Sequence, residues 1–106
     1  MMSPVYATDF HLIDDKFYFS VLDIPKNSEQ IQLMLDASSS GILFDDVFSL
    51  KVDDGNGRPI LRVLVDKCHI MEVSAYWDIE KGNNGYTFTC FLSRRGLIID
   101  RWDGGT

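Results

Sequence analysis

The stretch "KNSEQIQLMLDASSSG", residues 26–41, decides whether the chain is all-β or mixed. At a helical period, Ile31, Met34 and Leu35 share one face, at spacings of three and four. At a strand period the shared face is Ile31, Leu33 and Leu35. The flanking residues break the tie. Asn27 or Ser28 suits the cap position, where a side-chain oxygen satisfies orphan helix amides. Glu29 suits the positive end of the helix dipole, and Gly41 offers a stop. Capping signals and periodicity agree, so the stretch predicts one helix over about residues 28–39.

Outward from the helix, the chain reads as strands. "VYATDFHLI" (5–13) is rich in β-branched and aromatic residues, Asp14-Asp15 is a turn signal, and "KFYFSVLDI" (16–24) completes a hairpin. Pro25 ends it, because proline cannot donate to a sheet ladder. Beyond the helix, "VFSLKVD" alternates, with Phe48, Leu50 and Val52 predicted inward. "PILRVLVD" sets Leu61, Val63 and Val65 on one side. "HIMEVSAYWDI" groups Met71, Val73, Ala75 and Trp77. "YTFTCFLS" turns Phe88, Cys90 and Leu92 inward, and "LIIDRW" follows a short turn. These segments predict a single α+β domain over residues 1–106. Its expected form is an antiparallel β-meander of about six to seven strands with one helix packed on the sheet.

With 106 residues, 45% hydrophobic and 25% charged, the chain is long enough to bury a core without staples. No apolar run approaches the ~20 residues of a membrane span, and the N-terminus lacks the pattern of a signal peptide. A cytoplasmic protein with reduced Cys68 and Cys90 is the expectation. The formal net charge is −6, and it is unevenly spread. Residues 1–54 hold three Lys against ten Asp and Glu, whereas residues 55–106 hold seven Lys and Arg against six acids. Such a chain is repelled by phosphate backbones and anionic membranes and attracted to basic partners. Direct nucleic-acid and membrane binding are therefore not expected.

Five residue groups bear on chemistry. "KVDDGNGRPI" (51–60) begins like a calcium loop, and aligning Gly57 with the invariant glycine puts Asp54 and Asn56 at ligand positions. The first and last ligand positions then fall on Val52 and Val63, which cannot bind a cation, so the stretch predicts a hairpin corner. Cys68, His69, Cys90 and His11 have no zinc-ligand spacing, and neither a metal nor a cofactor is expected. His11 and His69 serve as acid and base of a small hydrolase or nuclease only if they converge on one cleft.

The pairs Asp14-Asp15, Asp45-Asp46 and Asp53-Asp54 lie at turns or strand entries. Local turn chemistry explains them, as does an acidic docking face if they gather. Tyr18, Tyr76 and Trp102 are candidates for an aromatic patch. Together these features predict an acidic, non-enzymatic protein-binding module of inhibitor or immunity type. Asp45, Asp46, Asp53 and Asp54 would steer a basic partner of toxin or nuclease class, with Tyr18 or Tyr76 as anchor. Self-association through a strand edge into a homodimer is a further alternative.

Overall fold

The computed structural model describes residues 4–41, 44–80, 82–92 and 97–101, with backbone only at Asp45, Asp78, Asn83 and Leu92. The elements are β1 (Val5–Ile13), β2 (Lys16–Val21), α1 (Ser28–Ser40), β3 (Phe44–Asp53), β4 (Pro59–Asp78), β5 (Asn83–Leu92) and β6 (Leu97–Arg101). Among the described residues this is a mostly-sheet α+β fold with six strands and one helix. Among the described residues, no helix is long and apolar enough to cross a membrane.

The helical reading of residues 28–39 holds. Ile31 and Met34 are buried and Leu35 packs against the core, while Leu33, inward in the strand reading, is 43% exposed. Gly41 ends the helix in the left-handed region (φ 66°), its N–H donating to the Ser38 carbonyl at 3.2 Å.

The expected antiparallel meander is corrected to a mixed sheet. β1–β2, β2–β5, β5–β4 and β4–β3 are antiparallel, but β3 runs parallel to β1. These pairings close a five-stranded ring, and β6 pairs with Leu61–Val65 of β4. A tight turn joins only antiparallel neighbours. Here α1 carries the chain past the start of β1, so that Leu50, not Phe44, lies opposite Val5. β3 then rises alongside β1 in the same direction.

A second correction concerns β4. "PILRVLVD" and "HIMEVSAYWDI", read as two strands, form one strand of 20 residues. Lys67, at φ 65°, is a left-handed residue within it. Before that residue β4 pairs with β3 and β6; beyond it β4 pairs chiefly with β5. The face grouped as Met71, Val73, Ala75 and Trp77 is not a core face, since only Val73 packs on the core. Met71 is the extra residue of a bulge between Ile70 and Glu72. Trp77, 69% exposed, lies where β5 has run past its last β2 partner, Tyr86 against Val21.

The other inward phases hold: Phe48, Leu50 and Val52 are 0–1% exposed, and Val63 and Val65 are fully buried. Phe19 stacks on its register partner Phe88 with ring centres 5.2 Å apart, joining the neighbouring strands β2 and β5. At Gly85 the same two strands approach so closely that a Cβ would collide with the Val21 carbonyl oxygen.

Asn27 stands at the helix N-cap, but its side chain makes no capping bond. It turns instead to β1 and is completely buried. Its Oδ1 accepts the Tyr6 N–H at 2.8 Å, and its Nδ2 donates to the carbonyls of Asp23 at 2.8 Å and Tyr6 at 3.3 Å. The register that sets Thr8 against Ser20 would bring Leu22 opposite Tyr6, but β2 ends at Val21. The Asn27 amide takes the place of the missing strand. One turn on, Gln30 Nε2 donates to the Pro4 carbonyl at 3.0 Å.

Asn27→Ala leaves a buried N–H and C=O of Tyr6 without these partners. It is expected to cost about 2–4 kcal/mol in urea unfolding. Met34→Ala should cost about 2–5 kcal/mol, whereas Leu33→Ala on the exposed face should cost under about 1 kcal/mol.

Candidate functional site

The site forms where β1 is bent and the β3–β4 hairpin lies beside it. On β1, three steps from Thr8 to His11 match two on β2, from Ser20 to Tyr18, so β1 carries a bulge. Asp9 has φ 54°, a left-handed conformation that aspartate tolerates better than most residues. The extra residue shifts the alternation. Val5 and Ala7 are buried before it, while Phe10 packs on the core after it, its ring centre 6.3 Å from that of Phe17. Asp9 and His11 are left at the surface.

"KVDDGNGRPI" is a hairpin corner, as predicted. Asp53 Oδ1 accepts the Gly55 N–H at 2.8 Å. Asp54 Oδ1 accepts the N–H groups of Asn56 at 2.9 Å and Arg58 at 3.2 Å, and the Asp54 N–H donates to the Arg58 carbonyl at 2.9 Å. Gly55 and Gly57 take φ values of 90° and 86°, which glycine adopts without a Cβ penalty. Both loop carboxylates thus bind their own backbone, while Val52 and Val63 point into the core.

Two depressions flank this corner and share Thr8 and Asp53. The first, about 280 Å³, is rimmed by Asp9, His11, Asp53 and Asp54 and floored by Phe10, Ile60 and Leu61. The second, about 410 Å³, lies between the corner and residues 22–26. Its floor is Tyr6, whose ring has the Lys26 ammonium 3.8 Å and the Lys51 ammonium 5.6 Å from its centre. Both arrangements fall within cation–π range. Asp23 and Asp53 also line it.

The remaining predicted residues are dispersed. Asp45 and Asp46 begin β3 and Asp53 ends it, a separation of seven residues or ~23 Å along an extended strand. Asp46 Oδ1 accepts the N–H of Val47 at 2.8 Å. The aspartate pairs therefore do not gather at one end. Tyr18 faces outward, since its neighbours Phe17 and Phe19 are fully buried, and it lies opposite His11 in the register. His11 lines the first depression, and Tyr18 does not. Tyr76 sits opposite Gly85, near the far end of the β4–β5 hairpin. Trp102 lies outside the described residues.

His11 rims the first depression, while His69 pairs with Phe91 on β4. Both are exposed, but His69 does not line that depression. Cys68 and Cys90 are free, fully buried thiols. The hydrogen bond between them, and then burial, push the Cys90 thiol far above its ordinary range.

Asp9 is the site residue that sequence reading missed. Its signal was an aspartate interrupting the apolar pattern of "VYATDFHLI", and a bulge is invisible to a strict two-residue period. Compared with known proteins, the chain matches no family model, no curated protein and no solved structure.

The backbone N–H bonds to Asp54, led by that of Asn56, hold its carboxyl below the ordinary value of 3.8. A depressed folded-state pKa means that the stabilisation is present above the unfolded value and is lost as pH falls through the folded one. A carbon-detected NMR titration should find the Asp54 midpoint below 3.8, with the Asn56 amide shift following the same curve. Ser28→Ala, by contrast, should leave that curve unmoved.

Proposed function

We propose that this chain is a non-enzymatic protein-binding module of inhibitor or immunity type, blocking a basic partner of toxin or nuclease class. One observation carries the reading: Asp9, Asp53 and Asp54 rim a single depression with an apolar floor. A lysine or arginine side chain matches such a place, laying its aliphatic stem on Phe10, Ile60 and Leu61 and its charged head among the carboxylates. Tyr18, beside His11, is the adjacent aromatic anchor.

The uneven charge of the chain supports the same reading. Opposite charge raises the encounter rate with a basic surface and fixes its orientation. In this proposal Asp53 and Asp54 are central contacts, whereas Asp45, Asp46 and Tyr76 belong to more distant parts of the docking surface. His69 does not line the depression that His11 rims, so an acid–base pair has no shared pocket there, which favours binding over hydrolysis.

The test is a triple substitution, Asp9→Asn with Asp53→Asn and Asp54→Asn. Asparagine tolerates the left-handed conformation at residue 9 and still accepts the turn hydrogen bonds through its Oδ1, so only charge is removed. The partner is the basic protein that co-purifies with this chain from its native cell. Stopped-flow association at low salt should slow about ten-fold or more, with a flatter salt dependence and a dissociation rate changed far less. An unchanged association rate would sink the proposal.

A further inference from the structure

We infer that the depression over Tyr6 is a site for a small zwitterion, an α-amino acid with an apolar side chain. The reading does not depend on the protein-binding role proposed above: it uses the other side of the β3–β4 corner and shares only Thr8 and Asp53 with the docking depression. Four charged side chains meet in this depression, two of each sign: Lys26 and Lys51, Asp23 and Asp53. In a chain with a net charge of −6, two of its ten basic residues converge on one tyrosine ring.

A single-sign ligand fits this set poorly, since an anion attracted to the ammonium groups meets two carboxylates, and a cation meets the reverse. A molecule bearing one ammonium and one carboxylate a few bonds apart satisfies both. The protein carboxylates are held in place before any ligand arrives. Asp23 Oδ1 accepts the Lys26 N–H at 3.0 Å, and Asp53 Oδ1 accepts the Gly55 N–H at 2.8 Å. An ionised carboxylate has acceptor capacity beyond one such bond. Lys26 is placed over the Tyr6 ring, and the Tyr6 backbone is fixed by Asn27.

The rest of the lining matches the side chain of such a ligand. Leu22 and Pro59 supply apolar wall, and at Gly55 and Gly57 the wall is bare backbone. A Cβ built at Gly57 meets nothing within 4 Å, so the depression is open on that side. A volume of about 410 Å³ lies in the range of small-ligand pockets and exceeds what one amino acid needs.

The experiment is a titration of the full chain with each common L-α-amino acid at millimolar concentration, followed by amide NMR. At least one with an apolar side chain should shift the Tyr6, Thr8 and Lys51 amides in a saturable way. For that amino acid, its N-acetyl and its carboxamide analogues, each lacking one charge, should bind at least ten-fold more weakly. Lys26→Met should weaken the amino acid and the N-acetyl analogue together, while Asp53→Asn should weaken the amino acid and the carboxamide together. Saturation by no amino acid would overturn the inference, as would equal binding of either singly charged analogue. Because the readout needs no partner protein, its failure leaves the docking proposal standing, and a failed docking test leaves this site standing.

Discussion

The fold depends on one buried side-chain amide. Strand β2 stops at Val21, one residue short of covering Tyr6, and the part-buried N–H and C=O of Tyr6 would otherwise lack a partner on that side. Asn27 fills that gap from the start of the helix, and its own amide finds a third partner at Asp23. A buried amide satisfied in this way is stabilising, whereas the same group with one partner removed is a liability. The helix is thus tied to the sheet at its N-cap and need not rely on its apolar face alone. Gln30, bonded to the Pro4 carbonyl, extends the tie by one turn.

Both candidate depressions inherit their shape from this clamp and from the bulge at Asp9. The clamp fixes the path of residues 22–26 beside Tyr6, and so sets one wall of the lysine-lined depression. The bulge turns Asp9 and His11 outward beside the hairpin corner and so completes the acid-rimmed one. The corner itself, held by Asp53 and Asp54 on their own backbone, stands between the two. Two pockets of different electrostatic character therefore share one piece of rigid turn chemistry, and Asp53 borders both.

Elements governed by local chemistry were legible in the sequence. The helix was readable from Asn27, Glu29 and Gly41 together with Ile31 and Met34, although Asn27 turned out to bond a strand and not the helix amides. The alternation of Phe48, Leu50 and Val52 gave the inward face of β3, and Gly55-Asn56-Gly57 gave the corner. What was not legible depended on pairing between distant segments. The parallel contact of β1 with β3 requires knowing where α1 delivers the chain. The continuity of β4 requires knowing that Lys67 adopts a left-handed conformation within a strand, which residue type does not announce. At the site, Asp53 and Asp54 were readable as turn residues, but their meeting with Asp9 was not, because a bulge obeys neither period.

The length of β4 has a consequence for how the molecule is assembled. This strand is a wall shared by both sides of the ring, with β3 and β6 along its first part and β5 along its second. The two hairpins that it makes with β3 and β5 close short loops, and so are the pairings least opposed by chain entropy. The contact of β2 with β5 joins segments separated by most of the chain, and only it completes the ring. A chain emerging from its N-terminus holds β1, β2, α1 and β3 with nothing to close upon until β5 is made. During that interval Phe17 and Phe19 wait for Phe88, and the edge of β2 stays open to any other strand.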